Sequence, residues 1–216
     1  MTAKEIYYKG LENPTKENCN ELIQKDKTGK WIFVAGINWK NFDYKKSLNA
    51  LMQKDETGKW IYNAALYWPK FNYKKGLEAL IQKDKTGEWI YSAGTDWKKF
   101  DYEKGLDVLI QKDKTGKWIF SAGADWKKFD YEKGLNALIQ KDKVGKWIYY
   151  AGLDWEKFDY EKGLKILNKF PKYYKLALKD WPKGEKELNH LNKQLNKNKT
   201  IKPKKFSIKE EILSLL

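Results

Sequence analysis

Residues 102–130 read YEKGLDVLIQKDKTGKWIFSAGADWKKFD, and residues 73–101 repeat them with only six substitutions. Looser copies occupy 15–43, 44–72 and 131–159, and a shortened sixth copy fills 160–185. A period of 29 residues marks a tandem array. Each unit in such an array is one supersecondary element that buries its apolar face against its neighbours. Residues 1–14 and 186–216 flank the array as an N-terminal cap and a basic C-terminal region with capping helices.

The first half of the unit carries Tyr102, Leu106, Leu109 and Ile110 at i, i+4, i+7 and i+8, the stripe of an amphipathic helix. Asp43, Asn72, Asp101 and Asp130 precede that helix, and each suits a cap that accepts a hydrogen bond from the first turn. Gly76, Gly105, Gly134 and Gly163 fall inside the helix. Glycine costs about 0.5 to 1 kcal/mol there relative to alanine, so its recurrence predicts the close approach of a neighbouring helix.

The second half places Trp118, Ile119, Ala122, Gly123 and Trp126 on one helical face, with Thr115 as the expected cap. The rival reading is a β-hairpin turning at Asp-Lys-Thr-Gly. The tryptophans separate the two: they lie eight apart at 31 and 39, 60 and 68, 89 and 97, 118 and 126, and 147 and 155. Eight residues keep step with a helix of 3.6 residues per turn, whereas a short strand does not hold both rings. In the last copy Tyr173, Ala177, Asp180 and Trp181 keep this spacing although the turn is three residues shorter. The expected fold is therefore all-α: a right-handed α-solenoid of about six two-helix repeats with terminal capping helices. With both tryptophans in the core, Trp118→Ala is expected to cost about 3 to 5 kcal/mol.

The two-helix unit built around a small-residue contact resembles tetratricopeptide and Sel1-like α-solenoids in design. Their period of 34 to 36 residues and their signature residues are not reproduced, so no functional residue is carried over. The resemblance implies a curved stack with a concave partner-binding face.

Of the 216 residues, 41% are hydrophobic and 34% charged, with a net charge of +15. All 44 basic residues are lysine, which offers a hydrated point charge rather than the planar fork with which arginine reads bases and phosphates. Residues 160–216 hold 15 lysines against 6 acids, while the five copies before them hold 27 against 21. The lone Cys19 takes the place of Leu48, Leu77, Leu106 and Leu135 in later copies and reads as a small core residue. No signal peptide or membrane span is expected, which suggests a cytoplasmic protein.

Catalytic signals dissolve on comparison of the copies. Asp-Lys-Thr-Gly at 26, 84 and 113 resembles the phosphorylated aspartate motif of P-type ATPases over four residues. It recurs once in each of the five full copies and drifts at 55 and 142, as a turn would. His190 is the only histidine and has no nucleophile or metal-ligand partner by motif; Asp125 and Asp154 lie near helix ends, where capping accounts for them. The chain is expected to be no enzyme and to use no cofactor, metal or small-molecule substrate.

Binding is the remaining expectation. The second helix carries an aromatic column, Phe33, Tyr62, Tyr91, Phe120 and Tyr149. Two variable columns flank it: Val34, Asn63, Ser92, Ser121 and Tyr150, then Ile37, Leu66, Thr95, Ala124 and Leu153. These columns either read one ligand unit per repeat or form the packing between repeats. Lys193, Lys197, Lys199, Lys202, Lys204 and Lys205 add candidate electrostatic contacts. The expected partner is an acidic protein or nucleoprotein, with sequence-independent RNA or DNA binding as the alternative. A lysine-only, recently expanded array also fits an AT-rich bacterium or its phage, and an inhibitor of a host nucleoprotein.

Overall fold

In a computed structural model, which describes residues 1–182 and Lys186, the chain folds into thirteen helices and no strand among those residues. In chain order they are α1 (Ala3–Glu12), α2 (Lys16–Lys25), α3 (Lys30–Asn38), α4 (Tyr44–Lys54), α5 (Lys59–Tyr67), α6 (Tyr73–Lys83), α7 (Glu88–Asp96), α8 (Tyr102–Lys112), α9 (Lys117–Asp125), α10 (Tyr131–Lys141), α11 (Lys146–Asp154), α12 (Tyr160–Leu167) and α13 (Pro171–Asp180). Helices α4, α6, α8, α10 and α12 begin 29 residues apart, as do α5, α7, α9 and α11. The fold is an all-α array of helix hairpins of the α-solenoid class. The described residues form two compact units, Met1–Lys114 with Asp125–Phe129, and Thr115–Ala124 with the described residues from Asp130 onward.

The first helix of each hairpin starts where its sequence signals. The side chains of Asp43, Asn72, Asp101, Asp130 and Asp159 each accept a hydrogen bond from the backbone N–H three residues on. Leu51, Leu80, Leu109 and Leu138 of these helices, and Ile61, Ile90, Ile119 and Ile148 of the second helices, are all fully buried; truncating such a leucine to alanine costs about 2 to 5 kcal/mol. Cys19 is buried in the place expected of it, with Ser47 Oγ 3.6 Å from its sulfur.

The turn between the two helices is organised by aspartate rather than threonine. Asp55 is 1% exposed. Its Oδ1 accepts from the N–H groups of Thr57 (3.1 Å) and Gly58 (3.0 Å), and its Oδ2 from those of Trp60 (2.7 Å) and Ile61 (2.9 Å). One carboxylate thus satisfies the free donors at the start of the second helix, which a helix end must otherwise leave to water. Asp26, Asp84 and Asp142 hold the same contacts to the residue six further on. The threonine expected to cap takes only one helix donor, as Thr57 Oγ1 accepts the N–H of Lys59 at 3.3 Å while donating to Asp55 Oδ1 at 3.3 Å. The turn glycines, Gly29, Gly58, Gly87, Gly116 and Gly145, have φ between 79° and 91°, a left-handed backbone that only glycine adopts at no steric cost.

Two expectations about packing are corrected. Gly76, Gly105 and Gly163 lie under a phenylalanine of the preceding connection, not under a helix: a Cβ there would sit 2.4 to 2.6 Å from a ring carbon of Phe71, Phe100 or Phe158. The paired tryptophans are also not equivalent. Trp39, Trp68, Trp97, Trp126, Trp155 and Trp181 are buried at the end of the second helix, whereas Trp31, Trp60, Trp89, Trp118 and Trp147 are half-buried. A lysine ammonium lies over several of the latter rings, 4.1 Å from Trp118 and 4.4 Å from Trp147. Trp118→Ala should therefore cost less than the 3 to 5 kcal/mol of a fully buried ring.

Candidate binding site

The buried tryptophan is the peg that joins one hairpin to the next. Trp68 Nε1 donates to the carbonyl of Phe33 at 2.9 Å, Trp126 to that of Tyr91 at 2.9 Å, and Trp155 to that of Phe120 at 2.9 Å. Its indole lies flat on a small residue of the earlier helix: a Cβ on Gly36, Gly94 or Gly123 would be 2.2 to 2.3 Å from the ring of Trp68, Trp126 or Trp155. Repeat two has Ala65 in this place, and Trp97 Nε1 still donates to the Tyr62 carbonyl at 3.2 Å. Helix α1 works as a second helix without a first, since Trp39 donates to the Tyr7 carbonyl at 3.3 Å and packs on Gly10.

The aromatic column is engaged in the same seam. Phe33 lies 5.4 Å from the ring of Trp60, Tyr62 5.3 Å from Trp89, and Phe120 5.4 Å from Trp147. The hydroxyls of Tyr62, Tyr91 and Tyr149 donate to the carboxylates of Asp96, Asp125 and Asp180 in the following hairpin, Tyr149 at 2.7 Å. Asp125 thus receives a hydroxyl and does not cap. Burial and the neighbouring carboxylate push the Tyr91 hydroxyl up to about 12. The bond to Asp180, then burial, pushes Tyr149 to about 12. Phe33, which has no hydroxyl, meets Tyr67 at 6.3 Å instead of an aspartate. The variable columns face outward: Ile37, Thr95, Ala124, Tyr150 and Leu153 are exposed, and Val34, Asn63, Leu66, Ser92 and Ser121 are half-buried. Lys193, Lys197, Lys199, Lys202, Lys204, Lys205 and His190 lie outside the described residues.

Anchoring the tryptophan opens a groove at the junction between hairpins. After Trp68 the chain runs Pro69-Lys70-Phe71-Asn72 into α6, and Tyr73 at the start of α6 donates its hydroxyl back to the Ala65 carbonyl at 3.3 Å. Tyr44, at the start of α4, does the same to Gly36 at 3.1 Å, and burial raises its hydroxyl above the ordinary tyrosine value. Between these elements lies a groove of about 1100 Å³, floored by Leu48, Ala65, Leu66 and Phe71 and rimmed by Lys45, Lys70, Lys74, Lys75, Lys98 and Lys99. All six lysines are exposed, and none is ion-paired among the described residues.

One carboxylate, Asp43, lines this groove, and its Oδ1 accepts the N–H of Lys46. The cap of α6 is the neutral Asn72. In the other unit, the corresponding groove is about 390 Å³ and sets Lys157 and Lys162 against Glu132 and Asp159. The sequence signal for this contrast was available in residues 69–75, which hold three lysines and no acid, against two lysines and three carboxylates in 156–162. Composition summed over whole repeats conceals it.

Among the described residues no three His, Cys, Asp or Glu side chains are grouped to share a metal ion. No described helix is long and apolar enough to cross a membrane. No family model, curated protein or solved structure matches the chain.

Proposed function

We propose that this is a non-catalytic helical-repeat protein that docks on an acidic macromolecular surface in the cytoplasm, with a protein or nucleoprotein as its partner. The observation that carries the reading is the groove between α4 and α6, where six exposed lysines surround an apolar floor with one carboxylate among them. Unpaired ammonium groups of one sign around a concave, partly apolar wall raise the local concentration of a polyanion and speed its encounter.

Sequence-independent nucleic-acid binding is the lesser reading. It needs ring faces on which bases stack, and the rings of the aromatic column are taken by the indoles and carboxylates of the next hairpin. The lysines, without arginine, supply charge and no bidentate recognition.

The test is binding of the full chain to fluorescent polyglutamate and to a fluorescent oligonucleotide, followed by anisotropy across a salt series. Binding should weaken steeply with salt. The variant Lys70→Glu/Lys74→Glu/Lys75→Glu should lose it by at least about tenfold, which is 1.4 kcal/mol. Absence of binding to both probes at low salt, or equal binding by the variant, would overturn the proposal.

A further inference from the structure

We propose that the groove between α4 and α6 takes an acidic polypeptide segment carrying apolar side chains, with the carboxylates on the lysine rim and the apolar groups on the floor. This rests on the docking function above and names the chemistry of the partner's contact.

The floor decides against a purely ionic ligand. Leu48, Ala65, Leu66, Pro69 and Phe71 line it. The rings around it pack edge-to-face on one another, Phe42 on Trp68 at 5.4 Å, Tyr44 on Trp68 at 5.7 Å and Phe71 on Tyr73 at 5.3 Å. Of these, the half-buried Tyr44, Phe71 and Tyr73 face the groove and the buried Phe42 and Trp68 back them. Apolar surface removed from water here contributes about 25 cal/mol per Å², and a ligand with charge alone leaves that contribution unused.

Hydrogen-bonding capacity decides against bases. The only amide side chains on the groove are Asn49 and Asn72, and Asn72 Oδ1 already accepts the N–H of Lys75 at 3.1 Å. The Tyr44 and Tyr73 hydroxyls are committed to backbone carbonyls. Base edges lowered onto this floor would lose their water partners without replacement, at about 1 to 3 kcal/mol for each unsatisfied group. Carboxylates held on flexible lysines at the rim stay partly solvated and incur no such loss.

Charge also selects among occupants. A second copy would bring another chain of net charge +15 to a lysine rim. Residues 187–216 of this chain carry seven lysines against three glutamates. Both are repelled, so the occupant is a separate, acidic polypeptide.

The experiment compares three fluorescent probes on the full chain at equal low salt: a sixteen-residue peptide of Glu-Glu-Leu-Phe repeats, polyglutamate of the same length, and an oligothymidylate of sixteen nucleotides. The mixed peptide should bind at least about tenfold tighter than either other probe. Leu66→Gln should weaken the mixed peptide far more than polyglutamate and so remove that preference, and Lys70→Glu/Lys74→Glu should weaken the mixed peptide and polyglutamate alike. Melting curves on both variants establish that they are folded. Equal binding of the mixed peptide and polyglutamate overturns the apolar contribution but leaves polyanion docking standing. Preference for the oligothymidylate assigns the groove to nucleic acid and overturns the inference. Binding of none of the three overturns the inference together with the docking function.

Discussion

The two ends of each hairpin obey different rules. At the turn, Asp26, Asp55, Asp84, Asp113 and Asp142 are all buried, at 1 to 3% exposure. At the junction between hairpins, charge drifts from three lysines without an acid in 69–75 to two lysines against three carboxylates in 156–162. The turn aspartate is kept in the five full copies because its carboxylate takes several backbone donors, and its loss leaves them unsatisfied. The junction can change because Lys70, Lys74, Lys75 and Lys157 are exposed, and no buried backbone donor depends on their side chains. That freedom lets the charge at one junction differ from the charge at another.

Stability measurements on the turn give the largest expected effect. Asp84→Ala removes the acceptor for the N–H groups of Thr86, Gly87 and Ile90. It should cost about 3 kcal/mol or more, read as a lower midpoint in urea unfolding. A change below about 0.5 kcal/mol would show that the turn holds without its carboxylate. Lys70→Glu/Lys74→Glu/Lys75→Glu should behave in the opposite way, with an unfolding midpoint within about 0.5 kcal/mol of the parent and the loss of polyanion binding given above. If both sets of variants lower stability alike, the division between turn and junction fails.

The seam between hairpins lies between these extremes. Gly94→Ala sets a Cβ 2.3 Å from the Trp126 ring and should cost about 1 to 3 kcal/mol. Phe120→Tyr should do the reverse. Asp154 stands where Asp96, Asp125 and Asp180 accept a tyrosine hydroxyl, but Phe120 has none to give. Adding the hydroxyl should stabilise the chain by about 1 kcal/mol in the same assay.

The smallest effect is on pH dependence. The Tyr91 hydroxyl is raised from 10 to about 12, so its proton is held more tightly in the folded chain. The contribution is complete below pH 10 and is lost as pH rises through about 12. Comparing the chain with Tyr91→Phe isolates it from the titration of the lysines: the difference in stability between them should shrink across that window. A constant difference would mean that the hydroxyl is not bonded to Asp125 when folded.

Much of this was legible in the residues. The eight-residue tryptophan spacing requires a helix, and the Asp or Asn before each first helix caps it as its chemistry suggests. Cys19 in a leucine position is buried. The role of the turn aspartate was missed, although its constancy beside a threonine that becomes Val144 pointed to it. The groove was missed for another reason: its lining comes from residues 42 to 99, and a count over each repeat averages Lys74 and Lys75 with the acids elsewhere in their copy.

By itself the sequence determined the period, the helices, the cap of each first helix and the hairpin as the unit, because these rest on local hydrogen bonds and on apolar spacing within about a dozen residues. The tertiary structure alone decided which tryptophan of each pair is buried, that Tyr62 reaches Asp96 in the next hairpin, and that two junctions together enclose a lysine-rimmed groove. Those outcomes depend on how one hairpin is rotated against the next. That rotation is set by an indole seated on glycine, a contact between residues some thirty positions apart that no spacing within a single unit specifies.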